Sequence, residues 1–551
     1  MWRGRQTRWA ALLWALVAAA PGPTLPLRPW LGLRLLESST AGEEPEPGAA
    51  PLTPGLPVFE HCTDTCSMAR NGVCEEGRRM PSPDFNNSLP RMTYCDLGSD
   101  CADCGPWRTT APQVPWMDVK TPGAIRFLRA KEVQVRVKPA VVPPDVSFLY
   151  AYTDPSKDYD VSWHMEHAGM VEPLLSKIFY RILKDRCLRP DGSRALVVDV
   201  GANFGWFAIL AARLGCRVIA YEPVPLFRHM LLYNIHVNDL TSRIEVRDKA
   251  VTDKPGLVKM VVPYSGIWGT AGIDGLNIDH AIEGKKEDVH VQGVMLEDEV
   301  KEDVLLMKVD VEGWEPGVMA GAAGLLRGQR VEHIVMEYTP GAPERWYNFE
   351  AMEATPRMLV DLIHLYGYRV GSVGDGKTGF GDWDAPLPPA REVTLDNLKY
   401  DVADVRLWKD GRLGCPYDDM LDFKAWAGCF GVPESLSARS LRAELTHNVN
   451  LWITKPEHVG PSGMELEPRP VGLIPPDAPP NTYWVNNTYN FGMGGRPCDG
   501  MDAEWQVRHH CKYSVPECAA EEAALEKLLA EGRVPPQAYV LGDAVTELGL
   551  A

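Results

Sequence analysis

A mainly apolar run, a glycine turn and an amphipathic segment follow one another between residues 195 and 222. Ala195–Val200 is rich in β-branched residues, which predicts a buried parallel strand. After the turn 201–205, apolar residues recur with helical spacing at Phe207, Leu210, Ala211 and Leu214. Gly215 ends this helix, and Arg217–Tyr221 predicts a second strand. The pattern predicts a strand–helix–strand unit with a ligand site at the carboxyl ends of its strands.

Further apolar runs alternate with helical patterns on both sides of this unit. The predicted strands that follow are Arg243–Arg247, Val304–Val309, Val331–Tyr338 and Tyr368–Val373. The predicted helices are Glu172–Leu188, Pro223–Asn238 and Pro356–Tyr366. This alternation predicts an α/β fold with a Rossmann-like, doubly wound and mostly parallel sheet. Upstream, the alternating run Val133–Lys138 predicts an edge strand.

The first twenty residues predict entry into the secretory pathway. Arginines precede the apolar run Trp9–Ala20, which is short for a membrane span. Ala18–Ala20 fits a cleavage site but Pro21 fits it poorly, so a cleaved signal peptide and an uncleaved signal anchor both stay open. We expect contact with a membrane only through this anchor. The predicted segments are 1–20 signal, 21–60 disordered stem, 61–105 cysteine-rich module, 106–160 connector, 161–385 core domain and 386–551 C-terminal extension.

Six of the 13 cysteines lie in the cysteine-rich module: Cys62, Cys66, Cys74, Cys95, Cys101 and Cys104. Behind a signal sequence they predict three disulfide bonds, whose pairing the spacing leaves open. The run from Cys95 to Gly105 resembles a Notch-type repeat. That resemblance implies a structural calcium ion on Asp96, Asp100 and Asp103, and a plain disulfide knot is the alternative.

The C-terminal extension carries five cysteines, which predict two disulfides and one remaining thiol: Cys415, Cys429, Cys498, Cys511 and Cys518. The extension either covers the active-site face of the core domain or is a packing appendage. The triplets 86–88 and 486–488 are glycosylation sequons, so we expect a glycoprotein.

The charge balance narrows the class of partner. The chain has 551 residues and a formal net charge of −18. Such an acidic chain is a poor candidate for binding nucleic acid, which is itself anionic. The hydrophobic content of 45% is ordinary for a globular protein.

The turn after the first strand predicts the type of cofactor. It carries glycines at positions 201 and 205 and lacks the third glycine of a dinucleotide-binding turn, which disfavours a nicotinamide oxidoreductase. Asp199 before the turn suits a cationic amino-acid group, and Glu222 suits the hydroxyls of a ribose. Together they predict S-adenosylmethionine. The structural alternatives are a helix cap for Asp199 and a surface charge for Glu222.

Two sequence blocks resemble the FkbM-type methyltransferases. The first is Val197–Gly205 with Tyr221–Pro225, and the second is Leu305–Pro316, which contains Lys-Val-Asp-Val-Glu-Gly. The resemblance covers residues 170–375 and implies the class I methyltransferase fold. It implies catalytic candidates Lys308, Asp310 and Glu312. The expected cofactor contacts are Asp199, Gly201, Asn203, Gly205 and Glu222, with Asp248 near the adenine.

Methyl transfer to a hydroxyl group requires alignment and removal of a proton. Asp310 is predicted to be the general base or a substrate anchor, and Glu312 its partner or a cofactor contact. A divalent ion shared by the two carboxylates would replace a simple base, although we assign no residue as a metal ligand here. A structural ion pair between Lys308 and Glu312 is the alternative without chemistry.

The prediction is therefore an S-adenosylmethionine-dependent O-methyltransferase of the secretory pathway, in the Golgi lumen or outside the cell. The compartment suggests that the acceptor is a hydroxyl of a glycan, on a glycoprotein or a polysaccharide. The alternative is a non-catalytic secreted glycan- or wall-binding protein built on a methyltransferase scaffold.

Overall fold

The computed structural model describes residues 56–78, 90–111, 123–143, 145–263, 266, 268–276, 286–339, 348–373, 383–395, 398 and 449–468. The predicted signal segment, both sequons and the five cysteines of the C-terminal extension lie outside these residues. Among the described residues, we find no helix that is both long and apolar enough to cross a membrane.

The cysteine-rich module contains the three predicted disulfide bonds, which are Cys62–Cys101, Cys66–Cys95 and Cys74–Cys104. Its strand β1 (Phe59–His61), which begins inside the predicted stem, pairs with β3 (Trp107–Thr109), and helix α1 is Cys101–Cys104. The module packs against the core domain, where the hydroxyl of Thr109 donates to Asp239 at 2.7 Å. A small apolar interior is thus reinforced by covalent links.

The aspartates of this module serve as acceptors for separate backbone segments. Asp96 accepts from Ile125 at 2.8 Å, Asp100 from Glu75 at 3.1 Å and Asp103 from Asn71 at 2.9 Å. Among the described residues, the oxygens of these three carboxylates do not come close enough together to share one metal ion. The calcium site predicted on them is therefore not supported, because each carboxylate is used to hold the backbone.

A three-stranded antiparallel sheet lies between the module and the core domain. Its order is β2 (Arg91–Thr93), β4 (Val135–Pro139) and β5 (Leu149–Tyr152). The prediction of an edge strand at Val133–Lys138 is wrong, since β4 pairs on both sides. One of its partners, β2, comes from the cysteine-rich module, which a local pattern cannot show.

The central sheet has nine strands. In chain order they are β6 (Leu196–Val200), β7 (Arg217–Tyr221), β8 (Ile244–Arg247), β13 (Val304–Val309), β14 (Val331–Tyr338), β15 (Arg369–Val373), β16 (Ala390–Val393), β17 (Val449–Thr454) and β18 (Leu466–Glu467). In space the order is β18-β16-β15-β17-β14-β13-β6-β7-β8. The five strands from β14 to β8 are parallel, and β17 is antiparallel to both of its neighbours.

Helices cover both faces of this sheet. They are α2 (Ala124–Ala130), α3 (Val161–Ala168), α4 (Pro173–Leu183), α5 (Trp206–Arg213), α6 (Pro225–Val237), α7 (Leu296–Glu299), α8 (Glu315–Gly321), α9 (Ala323–Arg327) and α10 (Phe349–Val360), which continues as a π-helix over Asp361–Leu365. Along β6, Val197 packs with the core that holds α4 to α6, whereas Leu196 and Val198 pack with α8 to α10. This alternation confirms the doubly wound fold.

A second sheet is inserted between β8 and β13. It has the order β11-β10-β12-β9, with β9 (Lys249–Val251), β10 (Gly256–Pro263), β11 (Gly272–Ile273) and β12 (Lys286–Val294). A 3-10 turn, Trp268–Thr270, lies between β10 and β11. The backbone N–H of Tyr159 donates to Gly266 at 2.9 Å, which fastens this insertion to the segment before α3.

The central sheet does not end at residue 385, where the sequence predicts the end of the core domain. Strand β17 comes from the predicted C-terminal extension and lies between β14 and β15, with Asn450 opposite Glu337. Leu451 and Ile453 are completely buried there. The predicted boundary is therefore wrong: the described part of the extension completes the sheet.

Candidate active site

The turn after β6 depends on two glycines with positive φ. Gly201 has a φ of 80°, and a Cβ there would lie 1.8 Å from the carbonyl oxygen of Asp310. Gly205 has a φ of 90°, and its Cβ would lie 2.2 Å from a methyl carbon of Leu231. Both positions therefore exclude side chains, because the turn is packed tightly against the loop after β13 and against α6.

Asp199 lies beneath this turn with only 1% of its surface exposed. Neither carboxylate oxygen has a hydrogen-bond partner among the described residues, and the same holds for Oδ1 of Asn203. Helix α5 begins after Gly205 without a side-chain cap, and the backbone N–H of Ala208 in its first turn faces Asp199 and partly offsets the rise of its pKa, so the helix-cap alternative for Asp199 stays open. Burial raises the pKa of Asp199 to about 6, and nearby Lys308 opposes that rise. A buried acceptor without a donor is costly, and a ligand that donates here would remove that cost.

Glu222 joins the turns after β6 and β7. Its carboxylate accepts from the backbone N–H of Asn203 at 2.7 Å and from that of Val224 at 2.8 Å. The residue is 3% exposed, so it is not a surface charge. Burial raises the pKa of Glu222 to about 8. Glu222 therefore also has a structural role, because it holds the cofactor turn in place.

Lys308 is the cation at the centre of the site. Its Nζ lies 2.6 Å from Oδ2 of Asp310 and 4.7 Å from the ring centroid of Phe207. Lys308 is 5% exposed and lies beside Asp199 in the strand register. Burial lowers its pKa, but the carboxylates of Asp310, Glu172 and Asp199 outweigh burial and raise it. The ion pair of Lys308 is thus with Asp310, and not with Glu312 as the structural alternative proposed.

Three carboxylates meet at the carboxyl ends of β13 and β14. Oxygens of Asp310, Glu312 and Glu337 lie within 4.8 Å of one another. Glu312 holds a φ of 58°, a left-handed conformation that is strained for a residue with a side chain. Burial, followed by the charges of Glu312 and Asp310, raises the pKa of Glu337 well above its ordinary value. We call these three residues the carboxylate group.

Two acidic residues that the sequence analysis missed face this group. Asp160 precedes α3, and Oδ2 of Asp160 and Oε1 of Glu312 lie 3.4 and 3.5 Å from the position of a Cβ on Gly269. Glu172 precedes α4 with a φ of 41°. Burial raises the pKa of Asp160 and of Glu172 to about 7. Each stands directly before a helix, and Pro173 marks the start of α4, but these local signals predict a helix end and not a site.

A cavity of about 470 Å³ opens next to Glu222. Its walls come from α2, the segment 131–133, the residues 224–226 that follow Glu222, and the inserted sheet. Trp268 lines the cavity, is 3% exposed, and has an indole N–H without a hydrogen-bond partner among the described residues. Asp248, predicted near the adenine, is exposed and does not line this cavity. That assignment stays a prediction.

One family model matches the region that holds this site. Residues 199–370 match the model of the Methyltransferase FkbM domain. No curated protein matches the chain. The solved structures with some similarity include methyltransferase FkbM from Methylobacillus flagellatus KT (15% identity, TM-score 0.22, 34% of this chain and 44% of that one). They also include the StiE O-MT (10% identity, TM-score 0.23, 54% of this chain and 74% of that one). A third is the plantazolicin methyltransferase BpumL in complex with SAH (9% identity, TM-score 0.20, 52% of this chain and 87% of that one).

The match to the first of these structures spans less than half of that protein's length. Four disulfide bonds, including Cys187–Cys216 within the core domain, are typical of an oxidising compartment. The turn, the carboxylate group and the sheet that positions them lie largely within the region that matches the family model. The doubly wound domain thus carries, over residues 199–370, a match to the Methyltransferase FkbM domain.

Proposed function

We propose that this protein is an S-adenosylmethionine-dependent O-methyltransferase that acts on a hydroxyl group of a glycan in the secretory pathway. The observation that carries the proposal is the buried Asp199 carboxylate without a partner, beneath a glycine turn that matches the family model. A carboxylate in that position accepts hydrogen bonds from a cationic amino group, which is one end of the expected cofactor.

The chain offers a contact for each part of the cofactor. Asp199 and the amide oxygen of Asn203 would hold the amino-acid end, and Glu222 the ribose hydroxyls. The cavity beside residues 224–226 is large enough for the adenine. When bound, S-adenosylmethionine supplies an electrophilic methyl group. The site residues must then align the acceptor hydroxyl and take its proton.

We assign the proton acceptor to a carboxylate oxygen of Glu312. Lys308 holds Asp310 in an ion pair, which makes Asp310 a weaker base and a better anchor for the acceptor hydroxyl. Burial raises the pKa of Glu337 well above its ordinary value, which favours the protonated form of that residue and makes it a poorer base. A carboxylate oxygen of Glu312 lies within 4.8 Å of oxygens of Asp310 and Glu337, so it can receive the proton. The left-handed backbone at Glu312 fixes the orientation of its side chain.

The disulfides and the predicted signal segment support the proposed secretory location, and that location in turn suggests a glycan acceptor. Glycan hydroxyls are abundant acceptors in an oxidising compartment of that pathway. A divalent ion on the carboxylate group, the alternative to a simple base, would make transfer sensitive to a chelator.

The test uses secreted full-length protein, labelled S-adenosylmethionine and glycans released from secreted glycoproteins and polysaccharides. We expect label in the glycan pool and micromolar binding of S-adenosylhomocysteine by calorimetry. Glu222→Gln should weaken this binding at least about tenfold, since the bonds to both turns and to ribose hydroxyls change together. The matched control is Glu302→Gln, because Glu302 forms an exposed ion pair with Arg217 away from the site.

Binding of the cofactor without transfer to any glycan would refute the proposed acceptor. Binding of glycan without binding of the cofactor would support the alternative, a glycan-binding protein on a methyltransferase scaffold. Parallel reactions with EDTA and with added Mg²⁺ distinguish proton removal by a carboxylate from activation by a divalent ion. Unchanged transfer in EDTA supports Glu312 as the base, and transfer lost in EDTA and restored by Mg²⁺ refutes that assignment.

A further inference from the structure

Two exposed aromatic side chains flank Asp160 at the start of α3. Tyr159 is 59% exposed and Trp163 is 44% exposed. The indole of Trp163 contacts two histidine rings, with His167 stacked at 4.4 Å and His164 edge-on at 5.2 Å. Trp163 is thus an apolar face with a set orientation that is open to solvent.

This aromatic face is continuous with the active site through Asp160. Trp163 lies three residues after Asp160, a spacing that places both on one side of the helix end. Oδ2 of Asp160 and Oε1 of Glu312 both approach Gly269, at 3.4 and 3.5 Å from the position of a Cβ there. Because the side chain of Asp160 is 43% exposed, it forms the border between the carboxylate group and the open surface.

The charges around this border disfavour an anionic acceptor. The acidic side chains of Asp160, Glu172 and the carboxylate group face the positive charge of Lys308, which is paired with Asp310. His164 lies 3.9 Å from Asp160, but burial lowers the pKa of this histidine and keeps it neutral at pH 7. Asp160 and Glu172 are already partly protonated at neutral pH, because their pKa values are raised to about 7. A uronate or sulfate brought to this border adds further negative charge beside these acidic side chains, which lowers its affinity by roughly tenfold or more.

We infer that the acceptor is a neutral glycan, and that Trp163, with Tyr159 beside it, binds the face of a sugar ring next to the hydroxyl that receives the methyl group. A pyranose presents an apolar C–H face to an aromatic ring and hydroxyls at its edge to carboxylates such as Asp160. Charge complementarity selects a neutral ring over an acidic one. This inference rests on the proposed function and names its substrate class.

The first experiment compares acceptors with matched rings. Galactan oligosaccharides are neutral, and oligogalacturonides carry a carboxylate on the same ring. We expect transfer to the neutral set, with KM at least about tenfold higher for the acidic set. Trp163→Ala should raise the acceptor KM about tenfold with kcat changed less than about threefold, and Trp163→Phe should restore most of it.

Two measurements separate this role from a structural one. S-adenosylhomocysteine affinity should be the same in Trp163→Ala and the wild type, and Leu365→Ala, which removes another exposed apolar side chain, should leave the acceptor KM unchanged. Equal acceptor KM in wild type and Trp163→Ala would overturn the inference. Equal use of galactan and oligogalacturonide would overturn its charge argument.

A binding experiment keeps the inference testable if neither oligosaccharide set is methylated. The full chain is labelled with 5-fluorotryptophan, and the ¹⁹F resonance of Trp163 is identified by its loss in Trp163→Phe. Neutral disaccharides of galactose, mannose, glucose and xylose are then titrated with S-adenosylhomocysteine present, beside digalacturonate.

A shift of the Trp163 resonance with a neutral sugar and none with digalacturonate supports the inference. No shift with any neutral sugar overturns it. A shift without methyl transfer to any glycan would support sugar binding and refute the proposed enzyme activity. Methyl transfer without a shift at Trp163 would support the activity and refute the inference, so the two failures are distinguishable.

Discussion

The substitution Lys308→Met tests the electrostatic account of the site. It removes the positive charge that lies 2.6 Å from Asp310 and leaves Asp310, Asp199 and Glu172 without their shared cation. Removing one partner of a buried ion pair typically costs about 3–5 kcal/mol. At about 2–4 °C per kcal/mol for a domain of this class, the melting temperature should fall by about 6–20 °C.

The loss should depend on pH in a defined direction. Burial raises the folded-state pKa of Asp199 to about 6 and of Glu172 to about 7, above their unfolded values. Acids with raised folded pKa values contribute stability below the unfolded pKa, and that stability is lost as pH rises through the folded value. Without Lys308 these pKa values rise further, so the deficit of the variant should be larger near about pH 8 than near about pH 5.5.

The assay is thermal unfolding of secreted wild-type and variant protein at both pH values. Lys249→Met is the matched control, because Lys249 pairs with Glu299 at 3.0 Å but is 33% exposed. This partly exposed pair contributes less than a buried one, and Glu299 keeps its second partner Arg247 at 2.9 Å, so the control should lose a few degrees at most. A Lys308→Met deficit that is equal at both pH values, or no larger than that of the control, would refute the electrostatic reasoning.

Three further predictions concern the turn, the cofactor contact and the core disulfide. Gly201→Ala should destabilise the protein by more than about 3 kcal/mol in chemical denaturation, whereas Gly192→Ala, with a similar φ of 82° and open space around it, should cost about 1–2 kcal/mol. Asp199→Asn should keep or raise the melting temperature at pH 8 but weaken S-adenosylhomocysteine binding at least about tenfold by calorimetry, and unchanged affinity would exclude Asp199 from the cofactor site. Replacing Cys187 and Cys216 by serine opens a loop of sequence separation 29. It should cost about 3–4 kcal/mol in denaturant unfolding. Methyl transfer should persist at low temperature, since the bond lies at the end of the sheet opposite the site; loss of transfer in a folded variant would contradict this.

Local patterns predicted the parts of the fold that depend on neighbouring residues. The strands Val304–Val309 and Val331–Tyr338 occur with the predicted bounds. Both are buried on two faces, and such strands are continuous apolar runs that a sequence displays directly. The cysteine-rich module was readable for a similar reason, because six closely spaced cysteines have few partners outside their own segment.

The candidate site was predicted in part. The structure brings together Asp199, Asn203 and Glu222 on one side, and Lys308, Asp310 and Glu312 on the other, because parallel strands end at the same edge of the sheet. Asp160 and Glu172 were missed because their segments precede the first strand of the domain. Nothing in their local sequence distinguishes an acid that ends a helix from one that faces a reactive group.

The sequence alone thus determined the strand–turn–helix unit and the glycine positions, since these depend on backbone conformation and side-chain chemistry within a few residues. Tertiary structure decided that β17 completes the sheet, that Lys308 pairs with Asp310 and that Asp310, Glu312 and Glu337 converge. Those outcomes depend on contacts between distant segments, and the free energy of such contacts is set by burial and charge in the folded chain.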